Sequence, residues 1–93
     1  MTEKFEEKMR LLHQDYGQLT PEERRRLLEG IRRKNILAFR KLERLKHELL
    51  RMETKRVQLR LAGNEKELQL LEARILRKKE EFLRGLFKTK RGM

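Results

Sequence analysis

The chain has 93 residues, of which 44% are charged and 37% hydrophobic, with no Cys, no Trp and a single Pro. A chain this short holds one domain at most, and so small an apolar share builds only a narrow core, so association with a second copy is expected. The 26 Lys and Arg against 15 acids leave +11, a charge that repels itself and attracts polyanions. Thiol and disulfide chemistry are excluded. No apolar stretch approaches the ~20 residues of a membrane span, and no secretory h-region is visible, so the expected compartment is the cytoplasm. Ser is absent and Asn occurs twice, a balance shared by thermostable proteins and by long charged helices.

The first element is a short amphipathic helix over residues 3–16, with Phe5, Met9, Leu12 and Tyr16 at helical spacing and Gly17 ending it. Thr20, Pro21, Glu22 and Glu23 then give a start signal. The hydroxyl caps the first turn, the proline occupies a position where its missing N–H costs nothing, and Glu23 can reach back to the cap. The apolar pattern from there predicts one long helix over 21–61, with Gly30 as the place where it would kink or break. Gly63 and Asn64 tolerate positive φ and mark a tight reversal, and Glu65 and Glu67 place negative charge at the start of a third helix over 64–88. Residues 89–93 form a basic tail.

Lengths suggest how these pieces pack. At 1.5 Å per residue the central helix is roughly 60 Å long and its neighbours roughly 20 and 37 Å. Each neighbour is joined by a short turn, so the first helix is expected to fold antiparallel over the first third of the long one and the third over the remainder. The fold class is all-α: an antiparallel helical hairpin or coiled coil with a short N-terminal helix folded on a long central helix, dimerising into a bundle.

A heptad seam runs along the long helix through Leu28, Ile31, Asn35, Ala38, Leu42, Leu45, Leu49, Met52, Arg56 and Leu59. Ile36, Phe39, Leu50 and Val57 broaden it on one side, beyond what one neighbouring helix covers. The third helix offers Leu68, Leu71, Ile75, Lys79, Phe82 and Leu86 in sequence, with Leu70, Leu76 and Leu83 in surplus. The expected oligomer seam is Leu28, Ile31, Asn35, Leu42, Leu45, Leu49, Met52 and Leu59, with Asn35 as a register device or, if wet, a bystander. Arg56 on that seam snorkels or pairs with an acid such as Glu72.

Residues for catalysis are scarce. His13 and His47 lie in no metal-ligand spacing, no Ser or Cys can act as nucleophile, and the acid pairs Glu6/Glu7, Glu22/Glu23 and Glu80/Glu81 point apart on a helix. No Gly-rich phosphate loop occurs. The chain is expected to be no enzyme and to need no cofactor or metal.

Cations are unevenly placed. Residues 21–61 hold fourteen Lys and Arg against six Glu, and once the apolar face turns inward, Arg26, Arg33, Lys34, Arg40, Lys41, Arg44, Arg51 and Lys55 lie opposite it, with Glu48 the one acid among them. On a single helix that stripe runs roughly 45 Å, long enough to follow several phosphates. No aromatic is interleaved to stack on bases, so nucleic acid would be held by its backbone. The end of the third helix, with Phe82, Leu83, Leu86, Phe87, Lys88, Lys90 and Arg91, has the pattern of an interfacial anchor or of a packed helix end with a basic tail; a membrane partner is the less favoured of the two. The expected function is a coiled-coil assembly or adaptor module, a homodimer that takes a partner's helix. The alternative is a sequence-indifferent nucleic-acid binder using the basic stripe.

Overall fold

The computed structural model describes residues 2–16 and 20–91, with side chains at 4–14 and 20–87. They form four helices and no strand: α1 (Thr2–Tyr16), α2 (Pro21–Lys34), α3 (Ile36–Ala62) and α4 (Glu65–Arg91). Gly17 and the side chains of Tyr16, Lys88, Lys90 and Arg91 lie outside the described residues.

The start signal forms as its residue types dictate. Thr20 Oγ1 accepts from the Glu23 amide at 3.1 Å while Thr20 N–H donates back to Glu23 Oε1 at 3.4 Å, and Pro21 opens α2. The expected single rod is absent, and the break falls at Asn35 rather than Gly30. Asn35 leaves helical dihedrals (φ −150°, ψ 93°), and its amide N–H still donates to Ile31 O at 2.7 Å, closing α2. Its side-chain oxygen accepts from the Ala38 amide at 3.1 Å, opening α3. Asparagine is among the best N-caps because its short side chain satisfies an orphan amide of the first turn, so one residue ends one helix and starts the next. Gly30 is only a helix-interior glycine. At this seam position Asn35 thus serves as a cap within the chain, and the residue is exposed.

The break lets α2 turn back. An unbroken helix over 21–61 would span ~60 Å, whereas the molecule measures 44 × 24 × 19 Å. Pro21, Arg24 and Arg25 of α2 line one groove with Phe39, Glu43 and Lys46 of α3. Helix α1 therefore does not fold over α2. It packs along α4, with Phe5 beside Gln69 and Glu72, and Leu12 beside Leu76 and Glu80. Thus α1 flanks the N-terminal half of α4 and α2 packs on both α3 and α4, so the two short helices act as a third, interrupted column against the α3–α4 hairpin.

At the reversal, Gly63 takes φ 73°, the left-handed conformation that suits glycine, and Asn64 Oδ1 accepts from the Glu67 amide at 3.3 Å, capping α4. In the observed register three ion pairs cross the hairpin: Arg56 with Glu72 (2.9 Å), Glu48 with Lys78 (3.4 Å) and Lys41 with Glu81 (3.9 Å). Between the columns lies one core of Phe5, Leu28, Ile31, Leu42, Leu45, Leu49, Leu71, Ile75, Phe82 and Leu86.

Two glycines test this packing in opposite directions. A Cβ on Gly30 meets nothing within 4 Å, but on Gly85 it would come 2.7 Å from Leu42 Cδ2 in the core. Gly30→Ala should raise stability by about 1 kcal/mol through helix propensity. In Gly85→Ala the same gain is outweighed by about 1–3 kcal/mol of overpacking. Urea midpoints should move apart in opposite senses at unchanged m.

Candidate interaction surface

Most of the expected oligomer seam is used inside the chain. Leu28, Ile31, Leu42, Leu45 and Leu49 are buried in its own core, Met52 and Leu59 are half-buried against it, and Asn35 is the exposed cap. The surplus of α4 divides the same way: Leu83 is buried and Leu76 half-buried under α1, while Leu70 stays 64% exposed. Phe82, Leu83 and Leu86, three apolar residues of the pattern at the end of α4, are buried, and Phe87 is half-buried against the core. None of the described helices is long and apolar enough to cross a membrane.

One seam position became a buried polar centre. Arg56 Nε donates to Glu72 Oε2 at 2.9 Å, with 14% and 7% of the two side chains exposed, and the guanidinium lies 4.2 Å from the centre of the Phe5 ring. Its Nη2 is buried without a hydrogen-bond partner among the described residues; the ring face offers only partial compensation. This centre ties α1, α3 and α4 together. Glu72→Gln should cost about 3–5 kcal/mol, because it strands a buried cation, whereas Arg56→Met with Glu72→Leu should recover most of that loss. Thermal unfolding of the single and double variants checks both.

A second polar cluster lies where α1, α2 and α4 approach. Burial is the chief cause that lowers the pKa of half-buried His13, followed by the charges of Lys79 and Arg24. Lys79, on the core-facing row of α4, is likewise lowered, first by burial and then by Arg24, with Glu53 opposing. Its ammonium lies 6.0 Å from the centre of the Phe82 ring. Among the described residues no group of His, Cys, Asp or Glu is placed to hold a metal ion. In the fold His13 takes up its proton at a lower pH than in the unfolded chain, where it does so near pH 6.5. Between those two pKa values the unfolded state binds more protons, so stability is full above about pH 6.5 and falls as pH drops through that window. The unfolding midpoint should decline on acidification, and less so in His13→Gln.

All eight predicted phosphate-binding cations, Arg26, Arg33, Lys34, Arg40, Lys41, Arg44, Arg51 and Lys55, are exposed. They do not make one line. Arg26, Arg33 and Lys34 belong to α2, which has turned back, and the α3 set from Arg40 to Lys55 spans only about 22 Å. Lys41 pairs with Glu81 at 3.9 Å, whereas Arg40, Arg44 and Arg51 have no ion-pair partner among the described residues.

Beside them runs an apolar row. Ile36, Leu50, Val57 and Leu61 of α3 are 45, 53, 53 and 85% exposed, and at 100° per residue they fall within an arc of about 60°. Thr54 lies in the same arc, and its hydroxyl donates to Leu50 O at 3.1 Å, so its polar atom is already engaged with backbone. Towards the N-terminus the row is interrupted by Glu43, whose Oε2 lies 3.7 Å from His47 Nε2. Arg40, Arg44 and Arg51 line one edge, about a quarter to a third of a turn away. Comparison with family models, curated proteins and solved structures finds no match for the chain. The surface itself therefore carries the functional argument. Ile36, Leu50 and Val57 were visible as surplus in the sequence. Leu61 was not singled out, although its spacing of four from Val57 and eleven from Leu50 gives it away. Leu37, 73% exposed, stands on the arginine side.

Proposed function

We propose that this protein is a non-enzymatic interaction module of the cytoplasm that binds a helix of a partner protein on the outer face of α3. The supporting observation is the row Leu50, Val57 and Leu61, left open although the chain has closed a core of its own. Isolated surface leucines are ordinary, but three on one helical edge form a contact strip, and a partner helix is the element that fits such a strip. A second copy of the chain is the less favoured occupant. The heptad seam that would have built a coiled-coil dimer serves the chain's own core, and two chains of +11 repel.

A second reading has its own observation. The unpaired guanidiniums of Arg40, Arg44 and Arg51 would suit a nucleic-acid backbone, as would Arg26 and Arg33 on α2.

A photo-crosslinking amino acid at Val57, with exposed Gln14 on α1 as the control position, separates these readings when the protein is recovered from its host with and without nuclease. The expected result is a protein adduct at Val57, absent at Gln14, whose cross-linked peptide maps to one helix and whose yield is unchanged by nuclease. Adducts that vanish with nuclease, together with duplex affinity that falls steeply with salt and is lost in Arg33→Glu/Arg40→Glu/Arg44→Glu, would favour the second reading. No adduct at all would remove the first.

A further inference from the structure

The edge of the apolar row carries chemical information about what lies on it. Arg40, Arg44 and Arg51 recur at steps of four and seven, so they project in one line parallel to the apolar row, with Arg51 beside Leu50 and the other two continuing up to about 15 Å from it towards the start of α3. On the opposite edge Glu53 is flanked by Lys46 and Arg60, leaving that side net positive as well. An arginine row next to an apolar row is a two-part template: a ligand with only negative charge leaves the leucines wet, and a purely apolar one leaves the cations unmatched. A second copy would bring arginine against arginine, which like-charge repulsion disfavours.

We propose that the row Leu50, Val57 and Leu61, together with Arg40, Arg44 and Arg51, is the seat of an acidic amphipathic helix, a partner segment with apolar side chains along one stripe and Asp or Glu along its border. This rests on the interaction reading above and names the chemistry of its partner. From Arg40 to Leu61 the template is about 32 Å long, which matches a helix of about twenty residues. Planar guanidiniums grip carboxylates in a two-pronged fashion that a lysine row would not reproduce. Burial of the leucines supplies attraction that survives salt, while the arginines set charge preference and encounter rate.

Titration of the intact protein with fluorescent synthetic peptides of about twenty residues tests this. One peptide has Leu at i, i+4, i+7 and i+11 with Glu on the flanks, a second has Lys in place of Glu, and a third keeps Glu but has Gln in place of Leu. A short DNA duplex serves as a polyanion without an apolar stripe. The first peptide should bind at least tenfold more tightly than the second and third. Arg40→Glu/Arg44→Glu/Arg51→Glu should weaken it at least tenfold and reverse the preference towards the Lys peptide. Val57→Asp should weaken it while leaving any duplex binding unchanged. All four positions are exposed, and far-ultraviolet circular dichroism confirms that the variants remain folded. Equal binding of the Glu and Lys peptides, equal binding of the Leu and Gln peptides, or no binding of the first would overturn the proposal. So would a duplex that outcompetes the first peptide and depends only on the arginines. If a partner helix still cross-links at Val57 while the acidic peptide fails, the interaction reading stands and the acidic assignment falls. If neither is seen, both fall.

Discussion

Asn35 constrains everything built around it. A helix interior has no place for an extended residue, and here one residue supplies the last amide for α2 and the first cap for α3. The loss is small, since the break forfeits a few intrahelical hydrogen bonds and the cap returns about 1 kcal/mol. The gain is geometric: Leu28 and Ile31, which on a straight rod would face whatever lay beside its first third, enter the core shared by α3 and α4. A chain with so few apolar residues can in this way close a core without a second molecule, and the share of α3 left outside is the share available for recognition.

The Arg56–Glu72–Phe5 centre complements that hinge at the other end. There α1, itself short and acidic, is fixed to the hairpin by a ring over a guanidinium and by leucines leaning on α4. Such a buried pair adds little stability on its own, because desolvation offsets most of the attraction. It is demanding about geometry instead, since only one docking of α1 places Phe5 over Arg56 while Glu72 holds its Nε.

Much of the local structure was legible from residue types. The capping box at Thr20–Glu23, the reversal at Gly63–Asn64 and the inward row from Leu42 to Leu49 follow from hydrogen-bond chemistry and period. The position of the helix break was not, because Asn35 sits where the heptad expects a core residue, and the pattern of Leu28, Ile31, Ala38 and Leu42 runs through it without interruption. Periodicity reports which residues face inward; it is blind to whether the backbone between them is straight. The same blindness stretched the basic residues into one stripe. The pairing of Arg56 with Glu72 was among the alternatives in sequence, whereas the convergence of His13, Arg24 and Lys79 depends on where α1 and α2 come to rest, which no local spacing encodes.

Gly85 carries a consequence for alignment of the hairpin. Two heptad helices can in principle slide past each other by a whole repeat and still bring leucine against leucine. Leu42 fits against a position that lacks a side chain, so the glycine acts as a notch. Slippage by one repeat towards the turn would set Lys78 there instead, forcing a long charged chain into the space a bare Cα occupies. The bundle is thereby keyed to one alignment by an absence of atoms, and the spacing between the outward arginines of α3 and the flank of α4 inherits that fixity.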